Sequence, residues 1–234
     1  MKVSFIIPSY NCATWLPQTV QSCFDQTHKD IEIIIIDDGS TDTTQMYLDW
    51  LKKQNIKNIR IYNNETNLGR SATRNKGNDL ATGDIICILD SDDLATTKRA
   101  EITVNKFKEL KCKFLYGSAI MVGATGNLLK NMDVDVFNLD EALKRHSNKI
   151  VHSTVAYTKE IAKKYPYRDG LACSLGVDDW TQQIEIASAG ITLEYVPQVL
   201  CAYRGLVTSI TATRDVEEVE KYKLNFMEGL KCKI

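Results

Sequence analysis

Residues 31–42 read IEIIIIDDGSTD. The first six form a nearly all-apolar run, broken only by Glu32, which suits a strand covered on both faces rather than one face open to water. The run ends in Asp37 and Asp38. Gly39 then permits a tight turn, and Ser40 or Thr41 can cap the helix that follows. A buried strand, an acidic turn and a helix start thus occupy twelve residues.

The same unit repeats on either side. Residues 3–8 form a strand, and Leu16, Val20, Cys23 and Phe24 then recur at helical spacing. Residues 42–54 read as helix through Met46, Leu48 and Leu51, residues 59–62 as strand, and residues 70–81 as a helix ended by Gly83. A strand over 84–89, a helix over 97–111 (Ile102, Val104, Phe107, Leu110) and a strand over 114–122 complete the rhythm. Alternation of this kind predicts a parallel, doubly wound α/β sheet, in which ligands bind beyond the carboxyl ends of the strands. The segments to weigh are therefore 8–11 (PSYN), 37–40 (DDGS), 63–64 (NN) and 90–93 (DSDD).

The second half is less regular. A short helix over 138–145, a strand-like run over 150–157 and a helix over 159–164 are expected. A helix over 176–188 with Trp180, Ile184 and Ile186 follows, then strands over 192–196 and 200–203. Val216, Val219, Tyr222, Phe226 and Leu230 form a helical stripe. It reads as a terminal helix packed on the body, with a homodimer or membrane-surface contact as the alternative. No internal repeat, linker or low-complexity segment divides the chain. One continuous domain is expected, with residues 1–125 and 126–234 as its two halves.

The chain has 234 residues, 44% hydrophobic and 25% charged, enough for a sizeable core. Its net charge of -1 lacks the basic excess that nucleic-acid binding usually needs. No apolar run reaches the ~18–20 residues that would span a bilayer. Residues 1–8 are too short and too soon broken for a signal peptide and read as the first strand. Seven scattered cysteines without a CxxC pair read as small buried hydrophobes in a reducing cytosol, so a cytoplasmic protein is expected.

Residues 88–94, ILDSDDL, concentrate three carboxylates at a strand end, where like charges repel in partial shelter from water. Asp-x-Asp there suits Mg²⁺ or Mn²⁺, which takes few protein oxygens and completes its shell with phosphate and water. Asp92 or Asp93 could instead cap the next helix, though capping accounts for one acid and not three. Asp37 or Asp38 could accept from a base N–H. In residues 67–77, NLGRSATRNKG, Arg70 could reach a phosphate from the helix start. Arg74 and Asn75 could equally tie the helix to neighbouring loops.

Together PSYN, DDGSTD, NLGRSATRNKG and DSDD, in this order and each at a strand end, resemble the family 2 glycosyltransferases of GT-A fold, firmly over about residues 1–125. The resemblance implies a GT-A (Rossmann-like), mostly parallel sheet flanked by helices. It implies a nucleotide-sugar donor, UDP-linked before GDP- or dTDP-linked, and inversion by single displacement onto a hydroxyl of a glycan or lipid-linked acceptor; peripheral contact of the protein with the inner membrane face is the accompanying expectation. By match to its motifs, Pro8, Ser9, Tyr10 and Asn11 lie beneath the nucleotide, and Asp38 contacts the base, with Asp37 as the alternative. Asp90 lies near ribose or metal, and Asp92 ligates Mn²⁺ or Mg²⁺.

Displacement needs a general base opposite the leaving diphosphate, from the second half. Residues 176–180, GVDDW, resemble the family's acidic pair and place Asp179 as that base. A helix-start acid favoured by the macrodipole is the plainer reading. Trp180 could line the sugar site or fill the core. One position departs from the pattern. Tyr203 and Arg204 match a family Tyr-Arg-x-His element, but Leu206 replaces its histidine and cannot ligate a metal. Such a change could leave a nucleotide-sugar-binding relative without transfer activity. His28 is expected at the surface. His152, in a strand-like run, could face the acceptor cleft, but a satisfied core histidine is the expectation. A haloacid-dehalogenase-type phosphotransferase would carry its Asp-x-Asp after the first strand of its core, not the fourth. A nicotinamide dehydrogenase would carry GxGxxG after the first strand.

Overall fold

The structure is a computed structural model, and it describes residues 1–147, 149–206 and 215–231. Strands β1 (Val3–Ser9), β2 (Ile31–Asp37), β3 (Ile59–Asn63) and β4 (Ile85–Ile88) lie in the order β3-β2-β1-β4, all paired in parallel. Helices α1 (Leu16–Phe24), α2 (Thr44–Lys53) and α3 (Arg70–Leu80) connect them.

After β5 (Leu94–Ala95), α4 (Arg99–Leu110), β6 (Phe114–Val122) and β7 (Leu128–Asn131), the chain adds α5 (Leu139–Lys144) and β8 (Ala156–Thr158). Then come α6 (Lys159–Lys164), α7 (Leu171–Ser174), α8 (Asp178–Ser188), β9 (Glu194–Arg204) and α9 (Val216–Lys231). β8 runs antiparallel to both β4 and β6, and β9 runs parallel to β6. So β6 and β9 point the same way as β1–β4, and among the described strands only β5, β7 and β8 oppose them. The expected α/β fold, a mostly parallel sheet flanked by helices in a single domain, is what the chain adopts.

The isoleucine run explains the layering. In a strand, side chains alternate between faces. Ile33 and Ile35 join Phe5, Ile7, Leu16, Val20 and Leu48 on one face. Ile34 and Ile36 join Ile6, Ile86, Ile88, Ile161 and Ile186 on the other. Both faces are covered, so every residue of the run is buried, each isoleucine contributing roughly 2 kcal/mol by removal from water. Glu32 shares the face of Ile34 at the sheet's end. It accepts from Ser4 Oγ, Thr82 N, Thr82 Oγ1 and Gly83 N and pairs with Arg60 at 2.8 Å. α3 approaches β1 so closely that a Cβ on Gly77 would lie 2.3 Å from Ile6 Cγ2.

A third cluster holds Ala142, Leu175, Trp180, Ile184 and Val219, with Tyr222, Phe226 and Leu230 against it. The terminal stripe therefore packs on the body. Among the described residues, no helix is long and apolar enough to cross a membrane. Of the six cysteines described, four are buried, as small hydrophobes would be.

Local expectations differ at several places. Of residues 150–157, only the end is strand. His152–Thr154 form a 3₁₀ turn because hydroxyls compete with the ladder: Thr154 Oγ1 donates to the Val151 carbonyl and Ser153 Oγ accepts from Asp90 N. The two strands expected over 192–203 are one, β9. Its register shifts opposite Gly117–Ala119, and Pro197, which has no N–H to pair, falls in the bulge between them. Neither Asp92 nor Asp93 caps α4, whose N-cap is Lys98 with no side-chain bond. Ser40 and Thr41 do not cap α2 either; Asp42 Oδ1 accepts from Thr44 N instead.

Candidate active site

The strand-end loops converge through short polar bonds. Asn11 adopts φ 48°, a conformation asparagine tolerates. Its N–H donates to Ser40 Oγ at 2.9 Å, and its Oδ1 accepts from Thr41 N at 2.8 Å. The loop after β1 is thereby stitched to the loop after β2. Ser9 is buried, whereas the Tyr10 ring is 46% exposed at the rim. Asp38 is buried and accepts from Asn64 Nδ2 at 2.8 Å, Leu68 N at 2.9 Å and Gly69 N at 2.9 Å. Three of its roughly four lone-pair sites are thus spent anchoring the loop that leads into α3. Gly39 lets that loop pass: a Cβ there would meet the Thr66 carbonyl carbon at 2.7 Å, and its φ is 73°.

Two arginines from α3 cross to the second half of the chain. Arg74 is buried. Its Nη1 donates to Asp178 Oδ2 and its Nη2 to Asp90 Oδ1, both at 2.7 Å. Arg70 donates through Nε to Asp178 Oδ1 at 2.9 Å and through Nη2 to the Cys173 carbonyl at 2.6 Å. Asn75 exchanges hydrogen bonds with the Tyr167 backbone. Both arginines and Asn75 therefore tie the helix to neighbouring segments. Burial pushes the Asp90 carboxyl up, but the Arg74 charge overrides it and holds the group below its ordinary value.

Around residues 90–93 negative charge is concentrated. Desolvation, and then the Asp90 charge, push the half-buried Asp92 up to about 6. Asp93 is fully buried. Burial and the charges of Asp92 and Asp90 push it well above the usual range. It is a brace rather than a cap, its Oδ1 accepting from Arg204 N at 2.7 Å. Arg204 completes the clamp. It donates to the Asp92 carbonyl at 2.8 Å, to the Ala124 carbonyl at 3.1 Å and to Gln18 Oε1 at 3.0 Å, and it lies 4.3 Å over the Trp15 ring. Leu206 lies two residues beyond, partly exposed; Val207, Thr208 and Ser209, which follow it in the sequence, lie outside the described residues.

The carboxylates of residues 90–93 are hard oxygen donors, the type that Mg²⁺ and Mn²⁺ take. Among the described residues no group of three or more His, Cys, Asp or Glu side chains surrounds a metal position. Because burial first and the Asp90 charge second raise the Asp92 carboxyl, a positive charge beside it would favour its ionised form.

A cleft of about 370 Å³ connects the two halves, with Arg74, Asp90, His152, Asp178, Asp179 and Trp180 among its walls. Asp179 stands in the first turn of α8, partly exposed to the cleft, while its neighbour Asp178 is consumed by the two arginines. The Trp180 ring is buried, with Phe226 edge-on at 5.8 Å and Lys223 Nζ over its face at 5.2 Å. Its body thus fills the core while one edge reaches the cleft. His152 is not the satisfied core histidine expected. It lines the cleft, and among the described residues only its Nε2 has a hydrogen-bond partner, Tyr167 Oη at 3.0 Å. His28 bonds the Met1 carbonyl away from the site.

Sequence reasoning missed the Arg74–Asp178 pairing, the clamp by Arg204 and the reach of Lys223 from α9 into the cleft. Arg204 carried a signal, its place in the Tyr-Arg element. Lys223 carried none, being one lysine on a charged helix.

The family model for glycosyl transferase family 2 matches residues 4–165, more than half of the chain. An uncharacterised glycosyltransferase of Methanocaldococcus jannaschii is 29% identical over 209 residues, covering 86% of this chain and 70% of that protein. One of Haemophilus influenzae is 34% identical over 128 residues, which are 55% of this chain and 51% of that protein. Among solved structures, S. aureus TarS residues 1–349 in complex with UDP superposes with a TM-score of 0.70 at 19% identity, over 94% of this chain and 68% of that one. The same TarS segment in complex with UDP-GlcNAc does so at 18% identity with a TM-score of 0.70, over 97% of this chain and 66% of that one. With the family model spanning both the acidic strand ends and the cleft's first half, the chain belongs to glycosyl transferase family 2.

Proposed function

We propose that the protein transfers a sugar from a UDP-sugar to a hydroxyl of a glycan or lipid-linked acceptor, by inverting displacement assisted by Mn²⁺ or Mg²⁺. The observation that carries this reading is the placement of Asp90 and Asp179 in the walls of one cleft. Asp90 continues into the acidic loop of Asp92, where a diphosphate and its cation would sit. Asp179 belongs to the acceptor half, where a base must stand to draw a proton from a hydroxyl attacking opposite the leaving group. The preference for uridine is supported by the TarS complexes with UDP and UDP-GlcNAc, which share the fold.

In this reading Pro8, Ser9, Tyr10 and Asn11 floor the nucleotide, and Asp38 keeps one lone-pair site for a base N–H. Arg70 is mostly committed to Asp178 and Cys173, so any phosphate contact uses its remaining Nη1. Asp92 ligates the cation, which when bound neutralises the diphosphate and so stabilises the leaving group. Arg74 orients Asp90. The Asp179 carboxylate orients the acceptor hydroxyl and takes its proton as the new glycosidic bond forms.

The test is transfer by the purified chain from a UDP-sugar panel, with Mn²⁺, with Mg²⁺ and with chelator. Turnover is expected to need the cation, and Asp179→Asn to lower kcat by about 10²–10⁴-fold. If Asp92→Asn and Asp179→Asn both leave turnover untouched, the mechanism is wrong. Leu206, in place of the family histidine, favours a second reading, a binding relative without transfer. Calorimetric UDP binding with no turnover on a broad acceptor panel would support it.

A further inference from the structure

A chain of hydrogen bonds runs inward from the cleft, and its direction can be deduced. With the Asn78 amide turned so that Oδ1 faces Tyr157, Tyr157 Oη donates to it at 3.1 Å, which spends its one proton. In the 3.0 Å contact between Tyr167 and Tyr157, Tyr167 must then be the donor. Its proton is spent in turn, so in the 3.0 Å contact with His152 the ring must donate from Nε2. The neutral ring therefore carries its proton on Nε2 and a bare lone pair on Nδ1. Burial and the Arg74 charge keep the imidazole below its ordinary pKa, against the pull of Asp179, Asp90 and Asp178, so the neutral form is the one present near pH 7.

That Nδ1 is buried and has no hydrogen-bond partner among the described residues, in a side chain 8% exposed that lines the cleft beside Asp90 and Asp179. Buried acceptors are rarely left unpaired, and one at a cleft wall points to a ligand. A bare lone pair rejects a carboxylate or phosphate oxygen and takes an O–H. We propose that His152 is a sugar-recognition residue whose Nδ1 accepts a hydrogen bond from a hydroxyl of the transferred sugar. This assignment rests on the donor reading above. Attack opposite the diphosphate places that sugar between the Asp90 and Asp179 sides, where His152 stands.

The test is calorimetry with Mn²⁺ on the wild type, His152→Phe and His152→Asn. The probes are UDP, UDP-glucose, UDP-galactose and UDP-GlcNAc. UDP is expected to bind all three proteins alike. The UDP-sugar that binds the wild type best should weaken about three- to tenfold in His152→Phe, and less in His152→Asn, whose amide oxygen still accepts. Equal shifts for UDP and the UDP-sugar, or no shift in either, overturn the assignment while leaving the donor reading intact. A wild type that binds neither overturns the donor reading and the assignment with it. Should His152→Phe fail to fold, the imidazole ¹⁵N shifts of the wild type decide: a proton on Nε2 supports the assignment, and one on Nδ1 ends it.

Discussion

Replacing Arg74 with lysine would keep a positive charge but lose the fork that holds Asp178 through one nitrogen and Asp90 through another. One buried acid would be left short of a partner, and breaking a buried pair costs about 3–5 kcal/mol. Arg74→Lys is therefore expected to lower the unfolding free energy by about 3 kcal/mol in urea. A loss below about 1 kcal/mol would mean that the network is not closed as described. The neighbouring acids should separate cleanly. Asp178→Asn is expected to destabilise the fold, because it removes the charge facing two arginines. Asp179→Asn should leave the melting temperature nearly unchanged while lowering kcat by about 10²–10⁴-fold. Equal destabilisation by both would contradict this division. The sequence displayed the two acids side by side but could not say which would be consumed by packing.

Within β2 and α3 the same reasoning applies to packed polar and glycine positions. Burial tends to raise the Glu32 carboxyl, yet the bonds from Ser4 and Thr82 and the Arg60 charge outweigh it, lowering the group from 4.5 to about 2. A depressed carboxyl contributes stability that is present above its unfolded value and is lost as pH falls towards its folded value. Glu32→Gln should thus cost about 2 kcal/mol at pH 7, allowing for screening at the sheet's end. The gap to wild type should close between pH 4.5 and 2. A gap independent of pH in guanidinium melts would remove the electrostatic account. At Gly77, alanine would gain about 1 kcal/mol of helix propensity. It would also press a methyl to 2.3 Å from Ile6 Cγ2, and overpacking of this kind costs about 1–3 kcal/mol. Packing wins, and a lower melting temperature is expected; a higher one would show that the sheet gives way.

Across the molecule, α9 closes the third cluster and brings Lys223 to the Trp180 ring beside the cleft. The nucleotide-side loops are bonded to one another and to α3, with no bond to α9 among those described. A chain ending at residue 214 should therefore melt about 10 °C lower, on the order of 3–5 kcal/mol of lost burial. It should retain Mn²⁺-dependent UDP binding and lose transfer. If UDP affinity falls as far as transfer does, α9 supports the whole site and not the acceptor side alone.

The parallel sheet, its flanking helices and the order of the strand-end loops were legible from the chain itself. Strand runs, helical periods and turn residues are local, and IEIIIIDDGSTD holds all three in twelve residues. Roles that depend on partners were not legible, because the partners lie far apart in the chain. Arg74 and Asp178 are 104 residues apart, and Arg204 and Asp93 are 111. Only folding brings them within 2.7 Å. The tertiary structure therefore decided that Asp178 is a structural acid, that Asp38 anchors a loop, that Asp93 braces β9, and that His152 lines the cleft with its buried Nδ1 unpartnered among the described residues. Residue types set the chemistry available at each position. Burial and long-range hydrogen bonding decided which side chains are consumed by the fold and which are left for a ligand.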